Sequence, residues 1–196
     1  MPGRQAKLLA NRDVRQLLSA VRWGRYPNRD RVIVLLSVKA GLRAGEIAAL
    51  TWPMVLDARR QLSGLIELQD RAAKRGSGRI IPVHPQLHAA LATWRREILR
   101  SSGDLVGPVI LSERGGPMGA NSIVNWFAAL FRRLGLDGCS SHSGRRTFVT
   151  KAARMVYKAG GSLRDVQQLA GHRSISMTQR YIEGDSASQK RLVRLI

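Results

Sequence analysis

Acidic residues, cysteine and long apolar runs are all scarce in this 196-residue chain, and each shortage removes a class of function. Asp and Glu number 13 against 33 Lys and Arg, giving a formal charge of +20 and a pI near 11.7. That imbalance points to a polyanionic partner. Phosphate backbones release condensed counterions to such a surface, which favours nucleic acid over a membrane surface or an acidic protein. The one cysteine, Cys139, excludes an intrachain disulfide. No Cys/His spacing fits a zinc site, so no metal is expected and the compartment reads as reducing. The best apolar stretch, Val32 to Val38, is far shorter than the roughly 18 residues of a membrane helix. No charged-then-apolar leader opens the chain, and the expected location is cytoplasmic and nucleoid-associated, with no membrane partner.

What is present separates the chain from ribosomal or chromatin-type basic proteins. Hydrophobic residues make up 44% and there are four Trp, enough apolar material to bury a core. With no linker, low-complexity block or internal repeat, the expectation is one domain over 1–196, with 1–12 as an N-terminal extension and 183–196 as a C-terminal tail. Helix-spaced apolar residues predict helices over Asp13–Val21 and Asp30–Ala40, then a short one over Gly45–Leu50. Short β-type runs at Met54–Leu56, Gly64–Leu68 and Arg79–Val83 predict a three-stranded antiparallel sheet. Helical patterns resume over Pro85–Arg100, Asn121–Leu134, Ser143–Ala159, Leu163–Ala170 and Ser176–Ile182. The fold class expected is mainly α with a small antiparallel three-stranded sheet.

One set of residues carries chemistry. Cutting a phosphodiester without a metal needs an in-line nucleophile, cationic donors for the non-bridging oxygens and an acid for the departing oxygen. Tyr181 supplies a nucleophile, but a phenol titrates near pH 10 and needs nearby positive charge or a base. Arg43, Arg145 and His172 are candidates for that field, since a guanidinium presents paired donors and stays charged. Lys74, at the tip Lys-Arg-Gly-Ser-Gly between two expected strands, is a candidate general acid for a leaving 5′ oxygen. His142 is either a proton acceptor or a further phosphate donor.

Four segments resemble the catalytic domain of tyrosine recombinases, the phage-integrase-type site-specific recombinases. Ala40-Gly-Leu-Arg43-Ala-Gly-Glu46-Ile-Ala-Ala-Leu50-Thr-Trp52 is similar to that family's first arginine box, and Ala73-Lys74-Arg-Gly-Ser-Gly-Arg79-Ile-Ile-Pro82 to its β-hairpin lysine. His142-Ser-Gly-Arg145-Arg-Thr147-Phe resembles the His-x-x-Arg box, and Leu169-Ala-Gly-His172 through Tyr181 the closing box with the nucleophile. The resemblance spans about residues 12 to 182. It implies strand exchange on double-stranded DNA through a 3′-phosphotyrosyl bond at Tyr181, which stores the phosphodiester energy and requires no cofactor. It also implies a homodimer on each site, a tetramer across two, and a use for accessory DNA-bending proteins. Glu46, one helical turn after Arg43, would orient active-site groups, and Arg75, Arg79, Arg146 and Arg173 are candidate backbone contacts to DNA.

The pattern departs from the family at Gly144, where Leu is usual, at Arg146, where His is common, and at Ala170, where Leu precedes Gly-His. Most members also carry a separate N-terminal helical domain, for which the roughly 12 preceding residues leave no room; the chain reads either as a domain of a longer protein or as a naturally short recombinase resembling the fimbrial phase-variation invertases. Two other functions fit parts of the sequence. The same residues would serve a type IB topoisomerase relaxing supercoils, and Leu163–Ala170 with Ser176–Ile182 around a Gly-containing turn would serve a helix-turn-helix regulator. His84 and His88 share a helical face but lack further ligands nearby. Cys139 and the Trp126, Phe127, Leu130, Phe131, Leu134 series read as packing residues, and the tail Lys190–Ile196 either packs on its own domain or docks onto a neighbouring subunit.

Overall fold

The computed structural model describes residues 6–72 and 78–181 together with Val193. The chain divides into two units, 1–148 and 149–196, with the division inside one helix. Lys74 and Arg75, and the tail apart from Val193, lie outside the described residues.

In the first unit, α1 (Asn11–Arg22) begins where the Asp13 carboxylate accepts the Ala10 amide at 2.8 Å, and it buries Leu17 and Val21. Pro27 opens α2 (Pro27–Lys39), whose fixed φ suits the first turn. The sequence pattern marks one apolar face on α2, yet the helix is buried on all sides from Val32 to Val38. It packs against α1, α3 (Ala44–Ala49) and α4 (Pro85–Ser102), so it is the central post of the unit. Gly41, at φ +65°, ends α2 in the left-handed region, and a Cβ there would meet the Phe148 ring.

Among the described residues the sheet has two strands, not the three expected: β1 (Leu65–Leu68) pairs antiparallel with β2 (Arg79–Pro82), Ile66 opposite Ile81 and Leu68 opposite Arg79. The segment expected as a further strand at Met54–Leu56 begins instead as a 3₁₀ turn over Trp52–Met54. Pro53 lacks the amide proton a ladder needs, and the Met54 and Val55 amides turn back to the Thr51 and Trp52 carbonyls at 3.1 and 2.9 Å. Leu56 retains only an isolated bridge to Leu62.

His84 caps α4, its Nδ1 accepting the Gln86 amide at 3.1 Å, and Gly103 closes it. Helix α5 (Ala120–Arg133) packs on α3 and buries Ile123, Phe127, Leu130 and Phe131, with the two Phe rings stacked at 5.7 Å. These aromatics are core, as their spacing predicts. Helix α6 (Ser143–Met155) starts in the first unit, where Ser143 Oγ accepts the Ser140 amide at 3.0 Å. It then passes into the second, where it tightens to a 3₁₀ turn over Val156–Ala159 rather than running on as α-helix.

The second unit continues with α7 (Leu163–Ala170), opened by a Ser162/Asp165 capping box and closed by Gly171 at φ +60°. A five-residue α8 (Ile175–Gln179) follows. Tyr181 stands in the turn after α8, beyond the helix end, although helix was expected through Ile182. Among the described residues no helix is long and apolar enough to cross a membrane.

Candidate active site

Arg43 and Glu46 are joined by the start of α3. Arg43 has extended backbone and stands just before the helix, so its unsatisfied amide meets the Glu46 carboxylate one turn on, at 2.9 Å. The same carboxylate accepts Arg43 Nη1 at 2.6 Å. From the far side Arg79, at the start of β2, grips it with both guanidinium nitrogens, Nη1 to Oε1 at 3.1 Å and Nη2 to Oε2 at 2.9 Å. That is the bidentate geometry in which Arg exceeds Lys. Arg145, on the first turn of α6, lies 3.9 Å from Glu46 Oε2 and donates Nη1 to the Gly41 carbonyl at 2.7 Å.

Three guanidinium groups thus surround one carboxylate, and the cluster holds two positive charges in excess. Glu46 is 1% exposed. Burial alone would push its carboxyl up. Hydrogen bonding and charge from Arg79, followed by the Arg43 amide and guanidinium, instead bring it down to about 2, so it is ionised at any physiological pH. Of the arginines, Arg43 has the most accessible side chain, at 22%, while those of Arg79 and Arg145 are each 5% exposed. A preorganised, largely desolvated cationic cluster of this kind stabilises oxyanions more strongly than the same charges in water.

Gly144 explains itself by contact. A Cβ on it would strike Ser37 Oγ and lie 2.9 Å from Ser37 Cβ and 3.1 Å from Val38 Cγ1. The glycine lets α6 approach α2 closely enough to bring Arg145 beside Gly41, which the sequence could not disclose from helix propensity. His142 is exposed in the turn before α6, its amide donating to Ser140 Oγ at 3.3 Å and its carbonyl accepting the Arg146 amide. The Arg146 guanidinium donates to the Ala6 carbonyl at 2.6 Å. Cys139 is half-buried, and burial pushes its thiol up, away from reactive thiolate.

The second unit carries the other expected residues. His172 is buried just past the Gly171 cap, its Nδ1 2.9 Å from Thr178 Oγ1 and its ring stacked on that of Tyr181 at 5.6 Å and 20°. Gln167 holds the His172 backbone from both ends, accepting its amide at 3.0 Å and donating Nε2 to its carbonyl at 2.9 Å. Arg173 is exposed beside it. Nothing in the residue types of Thr178 and Gln167 marks them as partners of His172, which each meets only through hydrogen bonds. The available signal was spacing, since Thr178 lies within the closing box between His172 and Tyr181.

A family model described as the phage integrase family matches residues 7–187. The chain is 31% identical over 159 residues to the tyrosine recombinase XerC of Xylella fastidiosa (strain 9a5c), covering 80% of this chain and 49% of that protein. The chain spans about half the length of the curated relatives it matches. Among solved structures, the XerA recombinase superposes with a TM-score of 0.73 at 22% identity, over 100% of this chain and 65% of that one. The integrase of transposon Tn1549 in complex with a circular intermediate DNA gives 0.76 at 19% identity, over 100% and 67%. At those identities the structural likeness is one of fold.

Proposed function

This chain belongs to the phage integrase family, and on that premise we propose that it is the catalytic domain of a site-specific DNA recombinase that breaks and rejoins strands through Tyr181. The observation that carries the reading is the cluster of Arg43, Arg79 and Arg145 on the buried Glu46, which has the charge and rigidity to bind a phosphate. In this reading Arg43 and Arg145 hold the non-bridging oxygens of the scissile phosphate. The Tyr181 phenol oxygen attacks phosphorus as its proton passes to His142, and the bond to the 5′ oxygen breaks as Lys74 donates a proton to it. His172 adds a donor to the phosphate. A 5′-hydroxyl from a second strand reverses the step, so bond energy is conserved and no cofactor enters.

Both units serve one catalytic domain in this proposal, which acts in the cytoplasm as a dimer on one site and a tetramer across two, with DNA-bending proteins as accessories. Arg173, Arg146 and Arg75 would add backbone contacts, and Arg79 would act chiefly through Glu46. A helix-turn-helix regulator is less well supported: α8 has five residues, about 7.5 Å of helix, little to lay along a major groove.

A site is first selected from a randomised library of nicked duplexes by detergent-stable capture, and two copies are placed in one supercoiled plasmid. Wild type is expected to rearrange the plasmid and Tyr181→Phe to leave it unchanged. Relaxed plasmid without rearranged product would move the assignment to topoisomerase-type relaxation, and salt-labile binding with no covalent capture would move it to a regulator.

A further inference from the structure

We propose that Thr178 is a positioning residue that fixes the tautomer of His172, placing the ring proton on Nε2 so that the imidazole donates a hydrogen bond rather than accepting the Tyr181 proton. What that proton is donated to rests on the recombinase reading; the tautomer does not. Thr178 is 0% exposed, and its hydroxyl lies 2.9 Å from His172 Nδ1. If the hydroxyl donates to an unprotonated Nδ1, its hydrogen is satisfied inside the protein. If Nδ1 carries the proton instead, the hydroxyl must accept, and among the described residues its own hydrogen then meets no acceptor, which a buried O–H tolerates poorly.

The surrounding geometry leaves the ring little room to escape this choice. Gln167 fixes the His172 backbone at both its amide and its carbonyl, and Arg164 Nη1 in turn holds Gln167 Oε1 at 3.0 Å. Tyr181 covers the face of the imidazole at 5.6 Å, and the Thr178 carbonyl accepts the Tyr181 amide at 3.0 Å. One threonine therefore sets the proton of the histidine through its side chain and the start of the nucleophile's backbone through its carbonyl. On the recombinase reading, proton acceptance from Tyr181 is then left to a group other than His172.

The tautomer is read in the full chain from the ring ¹⁵N shifts and two-bond couplings of His172, the four imidazoles being assigned by substituting each in turn. Wild type and Thr178→Ser are expected to show Nε2 protonated, whereas Thr178→Val, which keeps the shape and removes the hydroxyl, should populate the Nδ1–H form. On captured nicked duplex, Thr178→Val should slow adduct formation by roughly ten- to a hundredfold with duplex affinity unchanged, and Thr178→Ser should restore it. An Nδ1–H tautomer in wild type, or the same tautomer in Thr178→Val as in wild type, overturns the proposal, as does failure of Thr178→Ser to recover the rate. Absence of any adduct from wild type would sink the recombinase reading instead, while the ring shifts would still decide the tautomer.

Discussion

Glu46 has more electrostatic work than any other described residue of the first unit, because it neutralises part of three guanidinium groups while barely touching solvent. Removing its charge takes the shared carboxylate away from three guanidinium groups, two of them buried, so Glu46→Gln should destabilise the protein by about 3–5 kcal/mol in urea unfolding, more than loss of a surface ion pair would. Its carboxyl is held at about 2 against an ordinary 4.5. A depressed carboxyl stabilises the fold above its unfolded value and loses that contribution as protons bind. Stability should therefore decline as pH falls from about 4.5 towards 2, and the decline should be shallower in Glu46→Gln, as equilibrium unfolding across that range would reveal. Arg145→Lys keeps the charge and loses the fork; adduct formation should drop on the order of a hundred- to a thousandfold, close to Arg145→Ala. Arg43, Glu46, Arg145 and His172 stand out as candidates in the sequence because each sits in a segment with a recognisable order of residues, and the structure brings the first three together. The Arg79–Glu46 pair does not stand out, since 33 positions of chain separate the partners and only the folded structure brings them together.

Among the elements, the helices declared themselves by apolar spacing and caps, and their observed ends differ from expectation by a few residues. The third strand failed because β-type residues at Met54–Leu56 follow a proline, and local turn geometry prevailed over strand propensity. The approach of α6 to α2 was equally hidden, since Gly144 reads as a helix weakness until Ser37 is seen against it. Gly144→Ala should accordingly lower stability by roughly 1–3 kcal/mol, although alanine favours helix by about 1 kcal/mol. Calorimetry of Gly144→Ala, Ser37→Gly and the double variant checks this: the pair should be less destabilised than the two single losses added together. Additive losses would mean the crowding at that crossing is not what selects glycine.

For the molecule as a whole, a charge of +20 on 196 residues must dominate any encounter with DNA. Affinity for duplex should fall steeply and log-linearly with salt, with a slope shared by wild type and Tyr181→Phe, because the phenol adds no charge to binding. Titrations at increasing salt would expose a contrary result as a difference in slope. Charge alone points to a polyanion, but it does not separate an enzyme from a basic binder; the proposal of an enzyme rests on the ordered residues and on the buried carboxylate that organises three of the arginines.

The most direct measurement incubates wild type and Tyr181→Phe with the same nicked duplex, denatures both in detergent, and maps any nucleotide adduct to a peptide by mass spectrometry. Strand breakage through Tyr181 predicts a 3′-phosphate linked to Tyr181 in wild type and no adduct in Tyr181→Phe. An adduct on another residue, or none on a duplex that both proteins bind, would contradict it.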